Sequence, residues 1–263
     1  MDIADPASVE AAIARFKPWA LVNASGYVRV DDAEHDAERC ARENTLGPSV
    51  LATVCARHAV HLTTFSSDLV FDGRQDTPYV ESDPTSPLNV YGASKAMAEQ
   101  QVLQHYPDAL VVRTSAFFGP WDEHNFVAQA LTALRRGLPV VAADDATVSP
   151  TYVPDLVHCC LDLMIDGASG IWHLTNGTAV TWHGLAKSAA QLAGIDADTL
   201  VEQASAQAGL AALRPAYSVL GSTRGSTMPS LDSALVRFLA ERQDLRQAAE
   251  PVYASDKYAS DKR

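Results

Sequence analysis

His61-Leu62-Thr63-Thr64-Phe65-Ser66-Ser67, then a turn-rich connector, then Leu88-Asn89-Val90-Tyr91-Gly92-Ala93-Ser94-Lys95 form the stretch from which the rest of the chain can be read. The first segment is β-branched and aromatic, which predicts a buried strand. The second leads into Ala-rich sequence running to His105, which predicts a helix. Between them, Asp72-Gly73, Asp83-Pro84 and Ser86-Pro87 supply turn chemistry. Strand, loop and helix in this order make half of a parallel βαβ unit.

The same alternation extends in both directions. Upstream, residues 7–16 read as a helix and Trp19-Ala20-Leu21-Val22-Asn23 as a short buried strand. Residues 33–58 form a long helical stretch with an expected interruption at Leu46-Gly47-Pro48, and Ala109-Leu110-Val111-Val112-Arg113 is a further buried strand. Strands separated by helices predict the α/β class, with a Rossmann-like, doubly wound parallel sheet and right-handed crossovers. In such sheets ligands bind beyond the carboxyl ends of the strands, where residues 23–26 and 66–68 fall.

After Gly119 the pattern loosens. Helices are expected over residues 126–136, 154–164 and 231–241 and from Thr181 onward, with strands over 139–142 and 171–174. This reads as a smaller C-terminal substrate lobe. The boundaries are residues 1–118 for an incomplete dinucleotide-binding domain, 119–247 for a lobe with returning Rossmann elements, and 248–263 for a flexible tail.

The chain has 263 residues, 47% of them hydrophobic, enough for a sizeable core. A net charge of −12 with no Lys or Arg block argues against nucleic acid or an anionic membrane as partner. No apolar run is long enough to span a bilayer, and no signal sequence is present. Cys40, Cys55, Cys159 and Cys160 lack metal-ligand spacing, so reduced thiols and a cytoplasmic location are expected. His58 and His61 bracket a helix-to-strand junction without carboxylates in register, and no metal site is expected.

Tyr91 and Lys95, four residues apart, project from one face of a helix. An unperturbed phenol has a pKa of about 10, and a neighbouring ammonium favours phenolate, so the pair suits proton transfer near neutrality. Ser67 ends the preceding strand, where its hydroxyl could hold a carbonyl against the Tyr91 phenol. The three together imply a proton relay for carbonyl reduction by a nicotinamide cofactor. Tyr-x-x-x-Lys alone is weak evidence: it recurs at Tyr253 to Lys257 and Tyr258 to Lys262, in a polar tandem repeat with no strand before it, where it reads as accidental. No Gly-x-x-Gly-x-x-Gly turn occurs in the sequence, and the chain starts as though inside a dinucleotide fold, so weak cofactor binding is expected of it.

Several ordered segments carry a family resemblance: Asp2-Ile3-Ala4-Asp5, Val22-Asn23-Ala24-Ser25, Val30-Asp31-Asp32-Ala33-Glu34, Asn44-Thr45-Leu46-Gly47-Pro48, Ser66-Ser67-Asp68-Leu69-Val70-Phe71-Asp72-Gly73, Pro87-Leu88-Asn89-Val90-Tyr91-Gly92, Val112-Arg113-Thr114-Ser115, Asn125-Phe126, Ser149-Pro150-Thr151-Tyr152 and Arg214-Pro215. With these, the chain resembles the dTDP-4-dehydrorhamnose reductase family of the extended short-chain dehydrogenases. Sugar-nucleotide dehydratases of that superfamily place Glu where Leu69 stands.

The resemblance implies NADPH- or NADH-dependent reduction of a nucleotide-activated 4-keto-6-deoxy sugar. Tyr91 would be the proton donor. Lys95 would hold the nicotinamide ribose and depress the Tyr91 pKa, and Ser67, usually Thr in the family, would bind the carbonyl. Asp2 and Ile3 would flank the adenine, with Asn23, Gly26, Tyr27 and Val28 along the cofactor. Asp68, Asn125 and Arg214 would meet the substrate. The family's usual Trp after Arg-Thr-Ser is Ala116 here, and Trp121 is near enough in sequence to fill that space. Alternatives to the reductase reading are a non-catalytic sugar-nucleotide-binding or regulatory subunit, or an inactive fragment of the same fold. A same-superfamily epimerase fits the Ser67-Asp68-Leu69 run less well. A homodimer or an N-terminal fusion segment is left open as partner.

Overall fold

The structure, a computed structural model, describes residues 1–225 and 227–245, so the expected tail over 248–263 lies outside the described residues. In the first part of the chain come α1 (Pro6–Phe16), β1 (Ala20–Asn23), the short helices α2 (Val30–Ala33) and α3 (Ala37–Ala41), a π-helical turn (Arg42–Leu46), α4 (Gly47–His58), β2 (His61–Phe65), α5 (Val90–His105) and β3 (Leu110–Arg113). There follow β4 (Phe117–Phe118), α6 (Phe126–Arg135), β5 (Val140–Ala143), β6 (Thr147–Val148), β7 (Thr151–Tyr152), α7 (Val153–Ile165), β8 (Gly170–His173), β9 (Val180–Thr181), α8 (Trp182–Ala193), β10 (Leu200–Gln203) and α9 (Leu231–Glu241).

The main sheet is parallel, in the order β1-β2-β3-β8. Helices cover both of its faces, as expected for a doubly wound sheet. Val111 points into a core shared by Val9 and Ile13 of α1, Leu51 and Val54 of α4 and Val102 of α5. Its neighbours Leu110 and Val112 point the other way, onto Leu156, Cys160 and Leu163 of α7. This alternation is the two-residue period of a strand buried on both faces. β8 and α7 thus return to the main sheet from the later part of the chain.

Helix starts follow local chemistry. The Asp5 carboxylate accepts from the Ala7 amide ahead of Pro6, and the Asn89 side chain accepts from the Gly92 amide at the start of α5. Gly92 has no alternative, because a Cβ there would lie 2.1 Å from the Leu69 carbonyl oxygen. This close approach packs the start of α5 onto the Ser67-Asp68-Leu69 segment.

The long helix expected over 33–58 is interrupted in two places, one of them at the expected Leu46-Gly47-Pro48. Chain turns separate α2 from α3, and further on the backbone stays helical while the π-helical turn ends at Leu46 and α4 begins at Gly47-Pro48. Proline has no N–H to give to the turn before it, which is where the π-helical hydrogen bonding lies. A Cβ on Gly47 would lie 2.4 Å from Ile3 Cδ1, so this junction packs directly on the N-terminal segment.

The later residues form a second core, where α6, α8 and α9 pack around Leu131, Leu185, Leu235 and Phe238. Parallel pairing of β5 with β10 and antiparallel pairing of β6 with β9 build the wall facing the main sheet.

Candidate active site

A cavity of about 740 Å³ opens between the carboxyl ends of β2 and β3 and this second core. On the sheet side it is lined by Ser67, Asp68, Leu69, Tyr91, Ser115 and Ala116. The opposite wall is largely apolar, with Phe126, Val141, Val148 and Trp182, and Arg214 and Ser218 lie at its border.

Ser67 caps a short 3-10 turn, accepting from the Leu69 amide at 3.2 Å and donating to Asp68 Oδ1 at 3.1 Å. Tyr91 is half-buried at the start of α5. Burial pushes its phenol pKa up, a carboxylate on Asp68 pushes it further, and the hydrogen-bonding Ser67 opposes them. Lys95 is buried, donates to the Phe65 carbonyl at 3.1 Å and lies 5.7 Å from the Tyr91 ring centroid. Burial brings the Lys95 pKa down to about 8. The sequence reading had Lys95 depressing the Tyr91 pKa. In this structure the phenol is raised instead, because desolvation outweighs the Ser67 hydrogen bond. A neutral phenol is the form that can donate a proton.

Asp68 is buried, and its carboxylate accepts from three hydroxyls: Ser67, Ser115 at 2.8 Å and Ser218 at 2.6 Å. It therefore lines the cavity with its oxygens already partnered inside the protein. Arg214 is held bidentate by Asp31, with both nitrogens 2.6 Å from carboxylate oxygens, so its charge is balanced before any ligand arrives. Sequence reading missed Ser115 and Ser218. Ser115 could have been suspected as a polar residue just past a buried strand, whereas Ser218 carries no local signal.

On the other side of Lys95, Gly26 has φ +152°, and a Cβ there would lie 2.7 Å from Asn44 Oδ1 and 3.7 Å from Lys95 Nζ. The Asn44 side chain, in the π-helical turn, accepts from the Tyr27 amide and donates to the Tyr27 carbonyl and to Ser94. Tyr27 is buried there, Val28 reaches the cavity, and Asn23 is tied to Thr64 at the β1 end. Asp2 lies apart from this group, paired with Arg42, and Ile3 packs against Gly47.

Trp121 is 75% exposed and outside the cavity wall, so the structure does not bring it into the space beside Ala116. Asn125 caps α6 through the Ala128 amide and binds the Gly119 carbonyl, and it is also outside the wall. Both polar ends of Asn125 are used in shaping the turn, which leaves none directed at the cavity. Ala116 does line the cavity, with φ 42°.

A parallel α/β sheet with serine, tyrosine and lysine at its carboxyl edge, facing a second core across a ligand-sized cavity, defines a Rossmann-like protein of the short-chain dehydrogenase kind. The RmlD substrate binding domain matches residues 1–242. The chain belongs to that family. It is 37% identical over 224 residues to the dTDP-4-keto-6-deoxy-D-glucose reductase of Streptomyces niveus, covering 84% of this chain and 77% of that protein. It is 34% identical to the dTDP-4-dehydrorhamnose reductase of Streptomyces griseus, covering 85% and 75% respectively. A crystal structure of dTDP-4-dehydrorhamnose reductase from Bacillus anthracis in complex with NADP superposes with a TM-score of 0.87 at 28% identity, covering 92% of this chain and 87% of that one.

Proposed function

We propose that the chain is an NADPH- or NADH-dependent reductase of a nucleotide-linked 4-keto-6-deoxy sugar. The observation that carries this reading is the meeting of Ser67 and the half-buried Tyr91 phenol at one end of the cavity, with the buried Lys95 5.7 Å from the Tyr91 ring centroid. Reductases with related names in Streptomyces, and the NADP complex of the Bacillus anthracis protein, support it.

The residues present fit the nicotinamide end of the cofactor. Where Gly26 lacks a side chain, the backbone comes close to Lys95, and among the described residues the Lys95 ammonium has one hydrogen-bond partner, the Phe65 carbonyl, so it retains donors for a ribose. Gly26, Tyr27, Val28 and Asn23 would border the cofactor, and Lys95 would hold its ribose. Bound NADPH or NADH supplies the hydride. Ser67 and Tyr91 orient the carbonyl oxygen, and Tyr91, kept neutral by burial, gives that oxygen its proton. The apolar far wall with Phe126 and Trp182 excludes water and offers a flat surface to a base. Asp68 and Arg214 border the sugar path, and Asn125 acts, in this reading, only through the shape of the turn before α6. A cytoplasmic setting goes with the four free, buried cysteines.

Mixing the purified chain with NADPH or NADH, raised until cofactor binding saturates to meet the weak binding expected without a Gly-rich turn, and with a dTDP-linked 4-keto-6-deoxy sugar tests the proposal. Loss of reduced-cofactor absorbance with formation of the 4-hydroxy sugar is expected. Binding of the sugar nucleotide without turnover under either cofactor would overturn it.

A further inference from the structure

Asp68 has surroundings that a simple sugar-binding acid does not need. Three serine hydroxyls from separate parts of the chain converge on its carboxylate: Ser67 beside it, Ser115 beyond β3 and Ser218 in the segment that runs alongside Thr147 of β6. Its side chain is nearly sealed from solvent, and the one hydroxyl of the three that leads onward to a reacting group is Ser67.

The hydrogen-bonding capacity of Ser67 makes this arrangement directional. A serine hydroxyl has one proton to give and two lone pairs to accept with. One lone pair takes the Leu69 amide. With Asp68 ionised, the Ser67 proton points at Asp68 Oδ1, and only a lone pair remains for Tyr91. With Asp68 protonated on that oxygen, the carboxyl donates to Ser67, and the Ser67 proton must turn toward Tyr91. Every donor and acceptor of Ser67 is satisfied in both states, so the charge on Asp68 sets whether Ser67 accepts from Tyr91 or donates to it.

We propose that Asp68 is a positioning residue that holds the proton with which Ser67 restores the Tyr91 phenol after each turnover. This rests on the reductase reading above. Reduction of a carbonyl adds a hydride to carbon and a proton to oxygen. The Tyr91 O–H bond breaks as the alcohol O–H forms, leaving a phenolate. The Ser67 O–H bond then breaks toward the phenolate while the Asp68 O–H bond breaks toward the Ser67 oxygen. Tyr91 and Ser67 are returned to their starting forms, and Asp68 remains as a carboxylate held by Ser115 and Ser218. One water-borne proton, arriving through the cavity that Asp68 lines, completes the cycle.

The environment supports a stored proton. Burial raises the Asp68 pKa, against the pull of the Ser218, Ser115 and Ser67 hydroxyls. Tyr91 on α5 is the titratable group that faces it, the Lys95 ammonium on the same helix is turned to the Phe65 carbonyl, and the remaining partners are neutral serines. Among the described residues, no cation offsets the loss of water around the carboxylate.

The test uses the full chain with aspartate labelled at its carboxyl carbon, the Asp68 resonance being the one absent from Asp68→Asn. That carbon is expected to titrate well above ordinary carboxylates, and to move higher in Ser218→Ala, where a donor that favours the charged form is gone. With NADPH and a dTDP-linked 4-keto sugar, kcat is expected to fall as pH rises through the Asp68 titration. That limb should move up in Ser218→Ala and vanish in Asp68→Asn, with kcat down at least about 10-fold and KM within about twofold. A carboxyl carbon already ionised near pH 4, or a kcat limb that Ser218→Ala leaves in place, overturns the proposal. Absence of turnover in the wild-type chain would count against the reductase reading itself. The carbon titration, which needs neither cofactor nor turnover, still decides whether Asp68 holds a proton.

Discussion

Arg113 grips Glu99 with two nitrogens, Nε at 2.8 Å and Nη2 at 2.6 Å, and the two side chains are only 2% and 4% exposed. Glu99 sits one turn beyond Lys95 on α5, and the same carboxylate accepts from Ser66, the residue before Ser67. The pair therefore ties the helix that carries Tyr91 and Lys95 to β3 and to the end of β2 that leads into Ser67.

Replacing one partner leaves the other charged and buried without compensation. Arg113→Met is expected to lower stability by about 3–5 kcal/mol, while adding Glu99→Met to it recovers a substantial part. Urea midpoints of the two variants check this. A double variant as unstable as the single one would show that Arg113 matters through packing over the Phe71 ring, 5.0 Å from its guanidinium carbon, and not through its charge.

Tyr91→Phe removes only the phenolic oxygen. Reduction is expected to fall by about 10²- to 10⁴-fold with cofactor affinity nearly unchanged. Cofactor oxidation and calorimetric titration measured side by side decide it, and near-normal turnover would end the assignment of Tyr91 as proton donor.

The hydrogen bonds from Arg214 bring the Asp31 pKa down to about 2, with help from the Ala212 amide. A carboxyl group lowered from near 4 stabilises the fold above that pH and loses this contribution as pH falls toward 2. Side-chain exposures of 25% for Arg214 and 36% for Asp31 mean that water screens the pair, so about 1 kcal/mol is the expected size. Asp31→Asn should lower the melting temperature at pH 7, and the gap from wild type should narrow at pH 3. Arg214 borders the cavity, so the variant should also raise the substrate KM. A gap that is independent of pH would mean that the carboxylate charge contributes nothing.

Gly26→Ala would put a Cβ 2.7 Å from the Asn44 oxygen that holds the Tyr27 amide, at φ +152°. A cost of about 1–3 kcal/mol and weaker cofactor binding are expected. Gly137→Ala is the control, since it too has positive φ, +66°, but nothing within 4 Å of the added carbon. Equal losses in the two variants would show that backbone conformation alone is responsible, and not the contact with Asn44.

The sequence alone determined the alternation of strands and helices, because periodicity and capping are local. The strand predicted at 61–67 is found as His61–Phe65, and the helix from Tyr91 to His105 starts one residue earlier, at Val90. The spacing of Tyr91 and Lys95 was legible for the same reason: one helical turn brings them onto one face wherever the helix packs. The gap between α2 and α3 was not, since Glu34, His35 and Asp36 include neither glycine nor proline, whereas Leu46-Gly47-Pro48 did mark the place where the π-helical turn gives way to α4. Only the tertiary structure put Ser115 and Ser218 on Asp68, across 47 and 150 residues of sequence, and left Trp121 exposed outside the cavity. Strand and helix signals arise from each segment's own atoms, but the partners of a buried carboxylate depend on how the crossovers return the chain to the sheet edge, and a serine in a loop carries no mark of that return.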